Sequence, residues 1–265
     1  MTDPQPTRIL MLSAVAVRLG GPDTGEEQRQ VTQTLRAARF RDGIRLETGQ
    51  AVQGEDILGH LLHHAPNVLH LSGHADESGL RVLTPAGGDA PMVTEGLAGL
   101  LAEVGKEVRL AFLNACATGS VAQALAEVVG CAIGHPAKVR DDMAVMFANH
   151  FYQCIGTGMT VGPSFRAAQA VLRMYGTDEA SLPVLHHRAD VNPDALHLLH
   201  PAFMPPPSAP GRVPDATAFL ARRAGAKQFM ALVTGSAESE AELRAEFIEK
   251  NVDILWIRED GTTDG

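Results

Sequence analysis

Five short apolar runs recur along the first part of the chain: RILMLSAVAV, IRLETGQAV, NVLHLSGH, VRLAFLNAC and CAIGHPA. Stretches of helical period separate most of them. GEEQRQVTQTLRAARF carries Val31 and Leu35 on one face, and QGEDILGHLLHHA is a short amphipathic helix. An alternation of strand, helix, strand, helix, strand needs crossover connections, and crossovers build a largely parallel sheet with helices on its faces. The expected fold is therefore α/β, with a mostly parallel central sheet flanked by helices.

Between the third and fourth runs, GLRVLTPAGGDAPMV reads as a small hairpin with a glycine turn, and TEGLAGLLAEVG as a helix capped by Thr94 and weakened by Gly96 and Gly99. GSVAQALAEVVG is the helix behind the fourth strand. DDMAVMFANHFYQCIGTG and TVGPSFRAAQAVLRMYG follow as two more helices, each ended by glycine. From Ser181 to Pro214 the chain is rich in proline and histidine and reads as irregular, with MPPPSAPG as the linker. Beyond it, DATAFLARRAG reads as helix, KQFMALVTG as strand, SAESEAELRAEFIEKN as helix and VDILWIRED as strand. The expected division is a main domain over 1–204, then a linker and small α/β extension over 205–265, either separate or packed on the main domain.

A formal net charge of -9 argues against a general nucleic-acid surface, which needs clustered Lys and Arg. The three cysteines, Cys116, Cys131 and Cys154, lack CxxC spacing and are odd in number, so a disulfide framework is not expected. The first apolar run follows Asp3 and two prolines and reads as a strand rather than a signal peptide. No run approaches the roughly 20 apolar residues of a membrane helix, and a cytoplasmic protein is expected.

Two apolar runs end abruptly in chemistry-bearing residues: NVLHLSGH at His74 and VRLAFLNAC at Cys116. In open parallel sheets, catalytic groups collect just beyond the carboxyl ends of strands. If the two strands are neighbours, an imidazole and a thiol reach one rim. A thiolate then attacks a carbonyl while the imidazole takes and later returns the proton. Cys116 also stands just before a helix, whose N–H groups favour a thiolate and donate to an oxyanion. Taken singly, such a cysteine is more often a buried small hydrophobe, and such a histidine a structural or hydrogen-bonded surface residue.

The series ILMLSA, LHLSGH and LNACATG, followed by an aspartate, a small residue and an F..HFY segment, resembles the CHAT domain, a caspase-like and separase-like cysteine peptidase family of clan CD. The resemblance covers approximately residues 7 to 176. It implies a caspase-like three-layer sandwich, His74 as general acid/base and Cys116 as nucleophile. It also implies an oxyanion site at main-chain N–H groups near Gly73, Ala75 and Cys116, with Asn114 supporting the cysteine loop. Asp141 falls where relatives carry an aspartate that shapes the S1 pocket for a basic P1 side chain; Asp141 or Asp142 equally suits the start of a helix. Relatives usually have His-Gly, whereas this chain has His74-Ala75; alanine keeps the N–H but reaches positive φ at a cost of roughly 1–2 kcal/mol.

The family implies cleavage of a protein substrate within a bacterial defence or signalling system, including antiviral defence, under a separate sensor or activator protein. It implies no cofactor. An inactive scaffold that binds a partner is the alternative, and a small-substrate α/β hydrolase a third reading. Other features weigh less. His60, His63 and His64 share one helix without an acidic or cysteine ligand, so no metal is expected. RLGGPDTGEEQ lacks both G-x-G-x-x-G and the Walker lysine, and reads as a connection rather than a phosphate loop.

Overall fold

The computed structural model describes residues 4–14, 24–76, 79–86, 88–178 and 182–204, together with four later strands at 219–222, 229–233, 253–257 and 263–264. The glycine-rich loop over 18–23, the linker MPPPSAPG beyond Met204 and the helix expected over 236–251 lie outside the described residues. By contacts the chain divides into two compact units, Met1–Met204 and Pro205–Gly265.

The first unit is built on a six-stranded sheet. Its strands are β1 (Thr7–Ser13), β2 (Ile44–Gly49), β3 (Val68–Ser72), β7 (Leu110–Asn114), β8 (Cys131–Gly134) and β9 (Val184–His187), in the order β2-β1-β3-β7-β8-β9. Every neighbouring pair is parallel except β8 with β9. A three-stranded antiparallel appendage of β4 (Ala75–Asp76), β5 (Gly79–Leu83) and β6 (Asp89–Pro91) leaves the sheet just after β3. It contains the expected hairpin.

Strand alternation assigns the two faces. Ile9, Met11, Val68, Leu110, Phe112, Cys131 and Ile133 pack one way, against α1 (Thr24–Ala37), α5 (Asp141–Gly156) and α6 (Val161–Met174). Leu10, Leu12, Leu69, Leu71, Ala111, Leu113 and Ala132 face the other way, against α2 (Asp56–His64), α3 (Thr94–Val104) and α4 (Gly119–Val129). The result is the three-layer sandwich expected. The α5 face holds an aromatic cluster of Phe112, Phe147, Phe151 and Tyr152, each fully buried, within a core made mostly of aliphatics.

Three expectations need correction. Val93, not Thr94, occupies the cap of α3, and Thr94 is its first helical residue with no capping hydrogen bond. The region read as irregular contains β9, which completes the main sheet by pairing Cys131 with His187 and Gly134 with Val184. In the second unit the segment read as helix carries β10 (Phe219–Arg222), paired antiparallel with β11 (Phe229–Val233). Strand pairing outweighs the helix-forming composition there. β11 runs parallel to β12 (Asp253–Ile257), and β13 (Thr263–Asp264) closes that four-stranded sheet. Among the described residues, no helix is long and apolar enough to cross a membrane.

Candidate active site

β3 and β7 are neighbours in the sheet, and their register pairs Ser72 with Asn114. The Gly73 N–H extends that ladder to the Asn114 carbonyl at 3.5 Å. His74 and Cys116 each lie two residues beyond this last paired row, on strands that stand about 4.8 Å apart. Both line one cleft of about 470 Å³ open to solvent, with Thr24, Glu27, Gly73, Ala75, Asn114, Ala115, Val139, Asp141, Ala144 and Val145. His74, Cys116, Gly73, Ala75, Asn114 and Asp141 thus line the same cleft.

Cys116 sits on a tight turn whose next residue, Ala117, is held at φ 54°, a left-handed conformation that alanine adopts only under constraint. The constraint is a set of hydrogen bonds to the loop after β8. The Ala117 N–H donates to the Ala137 carbonyl at 3.3 Å, and the Gly119 N–H to the His135 carbonyl at 3.0 Å. Thr118, fully buried, donates its hydroxyl to the Ala115 carbonyl at 2.8 Å and accepts from the His135 N–H at 3.1 Å. Gly134 allows this approach: a Cβ there would stand 2.7 Å from the Thr118 carbonyl oxygen. The half-buried Cys116 thiol points at the Val139 carbonyl, with Sγ and oxygen 3.7 Å apart.

His74 is exposed at the mouth of the cleft, and its carbonyl accepts from the Arg81 N–H at 2.8 Å. That bond makes 74/81 a hydrogen-bonded pair, so the adjacent Ala75/Leu80 pair is a non-hydrogen-bonded one. The Ala75 N–H consequently points off the ladder, while the Leu80 carbonyl turns to Met92 at 2.7 Å. Ala75 is extended in β4, so the positive φ that a glycine reaches freely is not required at that position; the left-handed residue of this site is Ala117.

Asp141 is exposed in the first turn of α5, behind an Arg140 cap, while Asp142 pairs with Arg140 at 2.6 Å. Asn114 is buried, and its amide nitrogen donates to Glu27 Oε1 at 2.5 Å and to the Ala144 carbonyl at 3.3 Å.

Beneath the cleft lies a polar network that sequence reasoning missed. Glu27, 2% exposed, comes from α1. His70 Nε2 approaches Glu27 Oε1 at 3.0 Å, though off the axis of a good hydrogen bond, and His70 Nδ1 meets the Tyr152 hydroxyl at 3.0 Å. His135 Nε2 meets Asn114 Oδ1 at 2.9 Å. Burial pushes the His135 imidazole down to about 4, against the opposing pull of Glu27, and burial with the nearby Glu27 raises the Tyr152 phenol well above its usual value. The legible signals were a histidine in the middle of an apolar strand, and His135 at the rim of the next strand. Burial also pushes the Cys131 thiol up to about 11 and raises that of Cys154, so neither is primed as a nucleophile.

The fold and cleft define a caspase-like α/β protein with cysteine and histidine at the carboxyl rim of a parallel sheet. The family model described as "CHAT domain" matches residues 3–202, and the chain belongs to that family, a clan CD peptidase family. Comparison with curated proteins gave no match. Among solved structures, the initiator caspase Dronc of Drosophila is similar at TM-score 0.45 and 8% identity, over 68% of this chain and 79% of that one. An inactive zymogen C11 protease from Parabacteroides distasonis is similar at TM-score 0.44 and 14% identity, over 71% of this chain and 63% of that one.

Proposed function

We propose that this chain is a cysteine endopeptidase in which Cys116 is the nucleophile and His74 the general acid/base. The observation that carries this reading is their common position, two residues past the paired Ser72–Asn114 row and on the walls of one cleft. In the reaction, His74 takes the thiol proton and the sulfur attacks the scissile carbonyl. The C–N bond breaks as that proton passes to the leaving amine, and water then hydrolyses the thioester and restores the thiol. The Ala75 N–H, free of the hairpin ladder, supports the oxyanion together with the Cys116 N–H, whereas the Gly73 N–H expected beside them is already turned to the Asn114 carbonyl. The N-terminus of α4, three residues past Cys116, favours the thiolate. Asp141 gives the cleft a carboxylate suited to a basic P1 side chain.

On this reading the substrate is a protein of a bacterial defence or signalling system, and a separate sensor or activator protein controls the enzyme in the cytoplasm. The second reading, an inactive scaffold that binds a partner protein, is favoured by one contact. The Cys116 thiol is turned to the Val139 carbonyl, an acceptor that suits S–H and opposes a thiolate.

Covalent labelling by peptide electrophiles with Arg, Lys, Asp or Leu at P1 tests the proposal, with Cys154 as internal control. The expected result is selective labelling of Cys116, strongest with a basic P1 and lost in His74→Ala. Equal labelling of Cys116 in His74→Ala would sink the dyad, and no labelling even with the activating partner present would favour the scaffold.

A further inference from the structure

Resting on the nucleophile reading, we propose that His135 is the positioning residue of the Cys116 turn, acting as a neutral imidazole with its proton on Nε2. No other residue grips the turn at three separate points among the contacts described above. Its side chain reaches Asn114 Oδ1 at 2.9 Å, two residues before the cysteine. Its N–H donates to the Thr118 hydroxyl at 3.1 Å, two residues after it, and its carbonyl accepts from the Gly119 N–H at 3.0 Å. The nucleophile is therefore spanned from both sides by one residue of the neighbouring strand end.

The tautomer follows from the partners. Asn114 Nδ2 faces Glu27 Oε1 and the Ala144 carbonyl, both acceptors, so the nitrogen is on that side and Oδ1 faces His135. An acceptor facing the ring requires Nε2–H. Nδ1 is then a lone pair, and it is buried with no hydrogen-bond partner among the described residues. A fully buried ring with one orphaned nitrogen loses stability to burial that an apolar residue would not. What the histidine supplies in return is a rigid donor to Asn114, and through it a fixed link between Glu27 at the cleft floor and the strained Ala117 turn. The depression of His135 to about 4 by burial agrees with a neutral ring across physiological pH.

Two measurements on the full chain test this. Long-range nitrogen–proton correlation on histidine-labelled protein reads the His135 tautomer directly. The expected signature is one protonated nitrogen, Nε2; a proton on Nδ1, or on both nitrogens, would overturn the assignment. The second is the pH profile of iodoacetamide alkylation at Cys116 in wild type, His135→Phe and His135→Gln. A misplacement of about 1 Å between groups that must be aligned costs on the order of 100-fold, so His135→Phe, by loosening the Cys116 turn relative to His74, should slow Cys116 by up to about that factor and leave Cys154 unchanged. His135→Gln, which keeps a donor for Asn114, should recover most of the rate. A reactive wild-type Cys116 whose profile is unaltered in His135→Phe refutes the positioning role. A wild-type Cys116 no faster than Cys154 counts against the nucleophile itself, and the tautomer measurement still decides the state of His135.

Discussion

Replacing Gly134 by alanine should damage the protein through a single methyl group. Gly134 ends β8, and an added Cβ would meet the Thr118 carbonyl oxygen at 2.7 Å, the Ala122 Cβ at 2.8 Å and the Thr118 carbonyl carbon at 3.0 Å. Two of these atoms are backbone and the third is a Cβ, so no side-chain rotation relieves the clash. The strand end and the start of α4 must separate by several tenths of an ångström. Overpacking of this kind costs about 1–3 kcal/mol, while exchanging glycine for alanine recovers about 0.4–1 kcal/mol from the unfolded chain. The net expectation is a loss of about 1–2 kcal/mol, which for a unit of this size lowers Tm by about 2–8 °C. The displaced atoms belong to the turn that carries Cys116, so alkylation of that cysteine should slow in the same variant. Gly99→Ala is the internal control: its Cβ would meet nothing within 4 Å in the exposed second turn of α3, and helix propensity predicts a gain of about 0.5–1 kcal/mol. Thermal unfolding of the two variants should therefore move Tm in opposite directions. If Gly134→Ala matches or exceeds wild type, the close packing of β8 on the Cys116 turn is wrong.

His135 also sets a pH dependence. Its folded value of about 4 lies below the ordinary 6.5, so the unfolded chain binds the proton more readily and stability rises with pH between those values. The stability present above about pH 6.5 is lost as pH falls toward 4, by up to ~3 kcal/mol for this one group. Urea midpoints across that window should therefore fall less steeply in His135→Gln than in wild type; parallel slopes would contradict the burial argument. Tyr152→Phe removes the hydroxyl 3.0 Å from His70 Nδ1 and leaves a buried ring nitrogen unpaired, for a loss of about 1–3 kcal/mol in equilibrium unfolding. An unchanged midpoint would mean that the Tyr152–His70 contact carries no net energy.

Much of the architecture is legible because the physics behind it is local and periodic. Apolar runs such as ILML and LAFL carry both faces of the sheet in their alternation, and the helices between them force parallel pairing. His74 and Cys116 were visible for the same reason, each standing two residues past the end of an apolar strand. β9 was not, because a four-residue strand with half-buried side chains, next to Pro183, has no period to read; only the open edge of β8 explains why it forms. The buried network was hidden differently. Glu27 stands among first-turn acids on α1 that look like ordinary dipole partners, and nothing local tells that it turns inward to Asn114 and His70. His135 belongs to a run already read as strand, and its importance comes from contacts 16 to 21 residues away in sequence.

The placement of β9 has a consequence for how the chain is made. Synthesis delivers β8 early, but its outer edge receives a partner only after α5 and α6 have emerged, because Val184–His187 follows both helices. During that interval the nascent chain presents unpaired backbone donors and acceptors beside a forming apolar core, the arrangement most prone to joining a neighbouring chain. Translation past residue 187 therefore separates an adhesive intermediate from a sheet whose β8 edge is closed, and the interval is set by ribosome speed rather than by any property of the finished site.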